Sequence, residues 1–259
     1  MQCASTLSDA RDATRVQWPA KCRITCHRDF SGTELSLKVR KFQMVLLVLM
    51  NSDNLIYLSQ MYAFLGNSLL RPLHQTGGPG LDPSFWAELP DFNNDAVSAA
   101  LERLCTFAKE TQAQAEAGED PATDVSVEYT RLFVGPPAPI APPWETYYPT
   151  NTTTVPTSGF GYPTFHMKEL LREVGLVLSS ENHQFEDHIG IELLYLSVLA
   201  DRAAKAEGEE LDAMNARMAT FIDEHPGRFI EQLEEKVVEA FPEGYIIRLL
   251  QLTKALFAL

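Results

Sequence analysis

Cysteine is scarce in this chain, with four residues among 259: Cys3, Cys22, Cys26 and Cys105. Cysteines this sparse do not make a disulfide framework in a chain of this length, and they favour a reducing, cytoplasmic setting. Cys22 and Cys26 stand four apart with His27 directly after them, but no second pair completes the four ligands of a zinc site. We therefore expect free thiols.

Long hydrophobic runs are also missing. The unbroken apolar run near the start is Met44–Met50, whereas a helix needs about 20 apolar residues to cross a bilayer. The sequence thus predicts no stable insertion into a membrane.

Basic residues are few and unevenly placed. Residues 1–43 hold eight Lys and Arg against four Asp and Glu; subtracting these from the totals of 21 and 35 leaves 13 basic and 31 acidic residues, a net charge of −18. This change of sign predicts a disordered N-terminal extension over 1–43 and a folded domain over 44–259, with Met44 or Met50 as a plausible functional start. A domain with this much negative charge disfavours binding to nucleic acids and anionic membranes, and it favours binding to a cationic partner.

Recognisable catalytic and nucleotide-binding motifs are absent as well. Gly77-Gly-Pro-Gly80 follows no predicted strand and lacks the lysine of a phosphate-binding loop, so it indicates a turn. No Ser/His/Asp or Cys/His arrangement stands out. The sequence therefore favours a protein that binds without chemistry and without a cofactor.

What the chain does contain is helical periodicity. Apolar residues recur at spacings of three and four, and Gly and Pro mark the breaks. No stretch shows the sustained alternation of a β-strand. The predicted fold is all-α, a single-domain bundle of roughly eight to ten helices. The longer predicted helices span residues 51–70, 95–117, 124–133, 165–174, 184–206, 210–224, 227–240 and 243–258.

A proline-rich run follows the helix predicted over 124–133. Six prolines lie between Gly135 and Pro149, and because each fixes φ and removes an N–H donor, the segment favours an extended path. Trp144 lies on this stiff loop, with Tyr147 and Tyr148 nearby and Glu145 directly after it. This arrangement predicts an aromatic wall with a negative rim, able to stack guanidinium groups and shelter an apolar peptide.

A second run, Glu186-Asp-His-Ile-Gly-Ile-Glu-Leu-Leu-Tyr-Leu196, opens an amphipathic helix. Asp187 offers an acceptor near the helix start, and His188 and Glu192, four apart, are neighbours on its surface. An alternative is that Asp187 complements the helix dipole while His188 and Glu192 form a solvated pair. His183, Asp187, His188 and Glu192 could also ligate a metal, but no second motif of the di-iron type accompanies them, so no metal ligands are predicted.

These two runs together resemble the TorD/DmsD family of cytoplasmic chaperones for molybdoenzymes. The matching residues are Tyr129, Leu132, Phe133, Gly135, Pro136, Ala141, Pro142, Pro143, Trp144, Tyr148, Asp187, His188, Glu192, Leu193 and Leu196. The chain departs from the family pattern at Thr146, where Ser is usual, at Tyr195, where Phe is usual, and at Glu186, where Pro is frequent.

The resemblance implies a chaperone active in anaerobic respiration. It would bind the twin-arginine leader or the apo catalytic subunit of a molybdopterin-dependent oxidoreductase until the cofactor is inserted, as a monomer or a domain-swapped dimer. The implied peptide site comprises Trp144, Glu145, Tyr148, Asp187, His188 and Glu192. Two alternatives remain, a chaperone for a non-exported subunit of the nitrate-reductase type and a metal-binding helical-bundle enzyme.

Overall fold

A computed structural model describes residues 52–76, 78–135, 137–148, 161–178 and 184–259. These residues form ten α-helices and no β-strand, which confirms the predicted all-α bundle. The helices are α1 (Ser52–Leu70), α2 (Leu73–Thr76), α3 (Pro83–Ala87), α4 (Asp95–Glu116), α5 (Pro121–Tyr129), α6 (Tyr162–Glu173), α7 (Ile189–Ala203), α8 (Gly208–Glu224), α9 (Pro226–Ala240) and α10 (Tyr245–Phe257). None of them is both long and apolar enough to span a bilayer. The extension expected over 1–43 lies outside the described residues.

Helix α7 is the centre of the bundle. Every residue from Ile189 to Leu196 is buried, as expected for a helix that is apolar around nearly its whole circumference. It packs along α1, and the two backbones approach most closely at Gly66 and Gly190. A Cβ added to Gly66 would lie 2.7 Å from the Gly190 carbonyl oxygen, and one on Gly190 would lie 2.6 Å from that of Gly66. This close crossing fixes the first turn of α7 relative to the core.

Polar side chains cap the starts of several helices. Asp82 accepts a hydrogen bond from Ser84 N at 2.9 Å and so begins α3. Asn94 accepts from Ala96 N at 2.9 Å and so begins α4 at the expected place. Ser, Asp and Asn caps satisfy amide groups that have no partner within their own helix.

Three predicted helix starts are wrong by three residues or more. Helix α5 begins at Pro121, with Asp120 as its cap, rather than at 124. Helix α7 begins at Ile189 rather than at 184, because the preceding residues form the contact with the proline-rich loop. Helix α6 begins at Tyr162 rather than at 165, so Thr164 lies inside the helix. The Thr164 hydroxyl bonds to another segment of the chain instead.

A buried carboxylate caps α10 from another helix. Glu128 of α5 accepts hydrogen bonds from Tyr245 N and Ile246 N, both at 2.9 Å. A Cβ on Gly244 would lie 2.2 Å from a Glu128 carboxylate oxygen, so glycine leaves the space that this cap occupies. Burial raises the pKa of Glu128, although the two amide hydrogen bonds and Arg248 oppose that shift.

Candidate functional site

The proline-rich loop is anchored to the end of α5. Residues Thr130–Val134 continue α5 as a π-helical turn, which ends at Gly135 with a φ of 82°. A Cβ on Gly135 would lie 2.4 Å from the carbonyl carbon of Ala138, so only glycine fits this reversal. Ala141 N then donates to Leu132 O at 2.9 Å. The loop therefore leaves α5 in a fixed direction, as its prolines predict.

The loop next pairs with the residues just before α7. Trp144 and His188 form an antiparallel β-bridge. Glu145 N donates to Asp187 O at 3.0 Å, and Ile189 N donates to Pro143 O at 2.9 Å. These two backbone hydrogen bonds hold the loop against the start of α7, which lies more than forty residues further along the chain. We call this contact between residues 143–145 and 187–189 the clamp.

The side chain of Asp187 strengthens this clamp. Its carboxylate accepts from Thr146 N at 2.9 Å and from Thr164 Oγ1 at 3.0 Å, and the residue is fully buried. Hydrogen bonds to a buried charged group stabilise more than neutral ones do. Asp187 therefore joins the loop, α6 and α7, and does not cap α7.

His188 is the residue that caps α7. Its Nδ1 accepts a hydrogen bond from Gly190 N at 3.0 Å. Complete burial lowers the pKa of His188 to about 3, so the ring is neutral at physiological pH. Because Nδ1 is the acceptor, the ring proton is on Nε2, which has no hydrogen-bond partner among the described residues.

Trp144 is partly exposed at the edge of this clamp. Its ring meets those of His188 and Phe185 edge-on, with centroid separations of 6.0 and 6.4 Å. The indole Nε1 is itself buried and has no acceptor within the described part of the chain. Trp144 is thus neither a core residue nor a freely exposed one.

A buried polar cluster lies beneath the loop. Glu145 Oε2 is 2.7 Å from His225 Nδ1, and His225 Nε2 is 2.9 Å from His166 Nδ1. The carboxyl of Glu192 lies beside Glu145 and accepts no hydrogen bond from any described residue. Burial, and then the charges of Glu145 and Asp187, hold the pKa of Glu192 well above its usual range. A neutral Glu192 carboxyl can donate its proton to Glu145.

The six residues predicted for the peptide site do come together around the loop and the start of α7, but five of them are buried. These are Glu145, Tyr148, Asp187, His188 and Glu192. Glu145 was expected on a negative rim, yet it is 2% exposed and bonds to His225. The alternative of a solvated pair is also wrong, because His188 and Glu192 are both 0% exposed.

The two tyrosines Tyr148 and Tyr195 contribute to packing between elements. Tyr148 stacks on Phe229 with ring centroids 5.3 Å apart, and its hydroxyl donates to Pro142 O at 2.7 Å. Tyr195 of α7 is buried, and its hydroxyl accepts hydrogen bonds from Arg217 at 2.7 and 3.0 Å. It therefore belongs to the contact between α7 and α8.

Sequence reasoning missed Thr164, His166 and His225. The pair His225-Pro226 at a helix junction was the available signal, since a histidine there can project away from both helices. No spacing rule relates it to Glu145, which is 80 residues away.

Exposed groups of two kinds surround the clamp. On α6, next to Thr164, the side chains of Tyr162 and Phe165 are 74% and 59% exposed. At the end of α8, next to His225, Asp223 and Glu224 are exposed. The exposed residues that adjoin Thr164 and His225 in sequence thus offer both aromatic rings and carboxylates.

Comparison with known proteins gives two findings. The model of the family described as "Nitrate reductase delta subunit" matches residues 92–235, more than half of the chain. "Tat proofreading chaperone DmsD" from Salmonella typhi, and its counterparts from Salmonella paratyphi A and Salmonella typhimurium, are each 31% identical over 83 residues. Those 83 residues cover 32% of this chain and 39% of each relative.

No solved structure matches this chain. The family match spans α4 through most of α9, and so includes the proline-rich loop, the clamp and the buried cluster. The chain belongs to the nitrate reductase delta subunit family, which comprises chaperones of the TorD type.

Proposed function

We propose that this protein is a cytoplasmic chaperone that binds the twin-arginine leader of a molybdopterin-dependent oxidoreductase. It would hold the apo catalytic subunit until the cofactor is inserted and would perform no chemistry of its own. The relatives named Tat proofreading chaperones support the class of partner.

The observation that carries the proposal is a pair of buried N–H donors without acceptors. Trp144 Nε1 and His188 Nε2 belong to two rings in edge contact, and neither has a partner among the described residues. A buried donor left unpaired costs about 1–3 kcal/mol. An extended peptide brings a row of backbone carbonyl oxygens, which are the acceptors that such donors require.

The surroundings of the donors suit the rest of such a leader. Tyr162 and Phe165 offer exposed aromatic surface for its apolar segment, while Asp223 and Glu224 offer carboxylates for its arginines. Arg binds carboxylates in a bidentate manner and stacks on aromatic rings. In this proposal the end of α8, and not Glu145, supplies the negative rim of the site.

Calorimetric titration with a synthetic twin-arginine leader tests this proposal. Trp144→Ala removes both the aromatic surface and the donor, and should weaken binding by about 2 kcal/mol, a factor of roughly 30. Trp144→Phe keeps an aromatic ring and removes only the donor, and should cost about 1 kcal/mol.

Ile140→Ala is the matched control, because Ile140 is an exposed apolar residue of the same loop. It should leave the affinity for the leader unchanged. Binding by Trp144→Ala within about twofold of the wild-type affinity would contradict the proposed site. Circular dichroism of each variant shows whether the fold has survived.

The description of the family favours a second client, a subunit of the nitrate-reductase type that is not exported. The site would be the same, since unpaired donors do not distinguish a leader from another extended N-terminal segment. Parallel titrations with a twin-arginine leader and with the N-terminal peptide of a nitrate-reductase catalytic subunit decide between them. The tighter ligand identifies the client class.

A further inference from the structure

We propose that Glu145, Glu192 and His225 form a binding site for a divalent metal ion of the zinc class. One ligand atom from each of these residues lies within 4.8 Å of the others. The three residues come from the proline-rich loop, the first turn of α7 and the junction of α8 and α9. A bound ion would therefore tie three separate segments together behind the clamp.

Burial of negative charge is the first reason. Glu145 and Glu192 are 2% and 0% exposed, and the neighbouring carboxylate of Asp187 is also completely buried. Asp187 is satisfied by its two hydrogen bonds, and Glu145 by His225. Glu192 accepts no hydrogen bond from a described residue although it is completely buried. Buried carboxylates without donors require a proton or a cation.

The geometry of His225 is the second reason. Its Nδ1 faces Glu145, and its Nε2 lies 2.9 Å from His166 Nδ1. A histidine that ligates a metal through one ring nitrogen usually donates the N–H of the other to an outer partner, which fixes its tautomer. His166 occupies that outer position. Phe221 stacks on the His225 ring at 4.9 Å and holds its orientation.

The chemistry of the donors indicates the ion. Carboxylate oxygen and imidazole nitrogen bind Zn²⁺ at about 2.0–2.2 Å, which places tetrahedral ligand atoms about 3.3 Å apart. Since no pair here exceeds 4.8 Å, the farthest atoms would have to approach by at most about 1.5 Å. Water would complete the coordination of a site with three protein ligands.

This set differs from the one considered from the sequence. His188 Nδ1 is engaged by Gly190 N, and Asp187 by Thr146 and Thr164, so neither is available to an ion at Glu192. His183 lies outside the described residues. Glu192 alone is common to both sets.

Metal titration of the chelator-treated full chain tests the proposal without any peptide. One equivalent of Co²⁺ should bind and show the visible absorption of a low-symmetry site with nitrogen and oxygen ligands, and Zn²⁺ should displace it. Glu192→Gln and His225→Asn should each weaken Zn²⁺ affinity at least about tenfold. His74→Asn, which changes an exposed histidine, should leave it unchanged.

Failure of the wild-type chain to bind one equivalent of Co²⁺ or Zn²⁺ would overturn the proposal, whatever the variants do. Stoichiometric binding that survives in a folded Glu192→Gln or His225→Asn chain would also overturn it. The two variants change different elements, so misfolding of one leaves the other informative. The leader-binding proposal is independent of either result, because its titration reports on Trp144.

Discussion

At the scale of single residues, His188 links the stability of the fold to its proposed site. It caps α7 through Nδ1, pairs through its backbone with the loop and keeps Nε2 available. Asp187 and His188 are both fully buried with defined partners, so we expect their joint replacement by Ala to be strongly destabilising.

The lowered pKa of His188 predicts a specific dependence of stability on pH. The unfolded chain binds a proton at this ring below about pH 6.5, whereas the folded chain does so only near pH 3. Above pH 6.5 the ring is neutral in both states and does not lower the free energy of unfolding. As the pH falls from 6.5 toward 3, protonation of the unfolded chain lowers that free energy. The slope of the free energy of unfolding against pH approaches about 1.4 kcal/mol per pH unit, so the protein should lose about 2 kcal/mol of stability by pH 5.

His188→Asn tests this dependence, because Asn can still accept the amide hydrogen of Gly190 but does not titrate. Urea unfolding at about pH 7 and about pH 5 should show a smaller change in the free energy of unfolding for this variant than for the wild type. His74→Asn, at an exposed position, is the control and should behave as the wild type. Equal pH dependence in His188→Asn and the wild type would show that His188 titrates normally in the folded state.

At the scale of elements, the crossing of α1 and α7 sets the position of the whole site. The clamp forms at the first turn of α7, and Gly190, two residues after His188, contacts Gly66. A shift of α7 relative to α1 would therefore move His188 and Glu192 away from the loop.

Gly66→Ala should destabilise the protein by about 1–3 kcal/mol. The new methyl group would lie 2.7 Å from the carbonyl oxygen of Gly190, which is main chain and cannot turn aside. The higher helix propensity of alanine offsets only about 0.5–1 kcal/mol of this. Urea unfolding measures the change, with Ile56→Ala on the exposed side of α1 as the control. A variant as stable as the wild type would show that the two helices can separate at no cost.

The elements were predictable from the sequence to the extent that they depend on local rules. The caps at Asp82 and Asn94 and the proline-stiffened loop follow from residue types at neighbouring positions. The contact of Asp187 with Thr146 and Thr164 joins residues 41 and 23 positions apart, and helical periodicity carries no information about such pairings. The resemblance pointed to residues that lie together in the fold, but their burial, which decides what each one contacts, depends on the packing of α6 and α8 against the loop.

At the scale of the whole molecule, negative charge is the feature most relevant to a cationic partner. Residues 44–259 carry a net charge of −18, and exposed acids are numerous along α8 and α9. Since Glu145 is buried and bonded to His225, long-range attraction must come from surface carboxylates. Asp223 and Glu224 are the exposed pair that adjoins the cluster beneath the loop.

Neutralising Asp223 and Glu224 together, as Asp223→Asn with Glu224→Gln, should weaken binding of a twin-arginine leader by roughly threefold to tenfold at low salt. Raising the salt from about 0.1 M to about 1 M shortens the Debye length from about 10 Å to about 3 Å, and should reduce the difference from the wild type. Glu209→Gln with Glu210→Gln makes the same charge change at the opposite end of α8, about 21 Å away. If charge near the site attracts the arginines, only the substitutions at Asp223 and Glu224 should weaken the affinity for the leader in a calorimetric titration. Equal losses from both pairs would mean that the leader responds to overall charge alone, and salt-independent binding would leave the aromatic surface as the sole determinant.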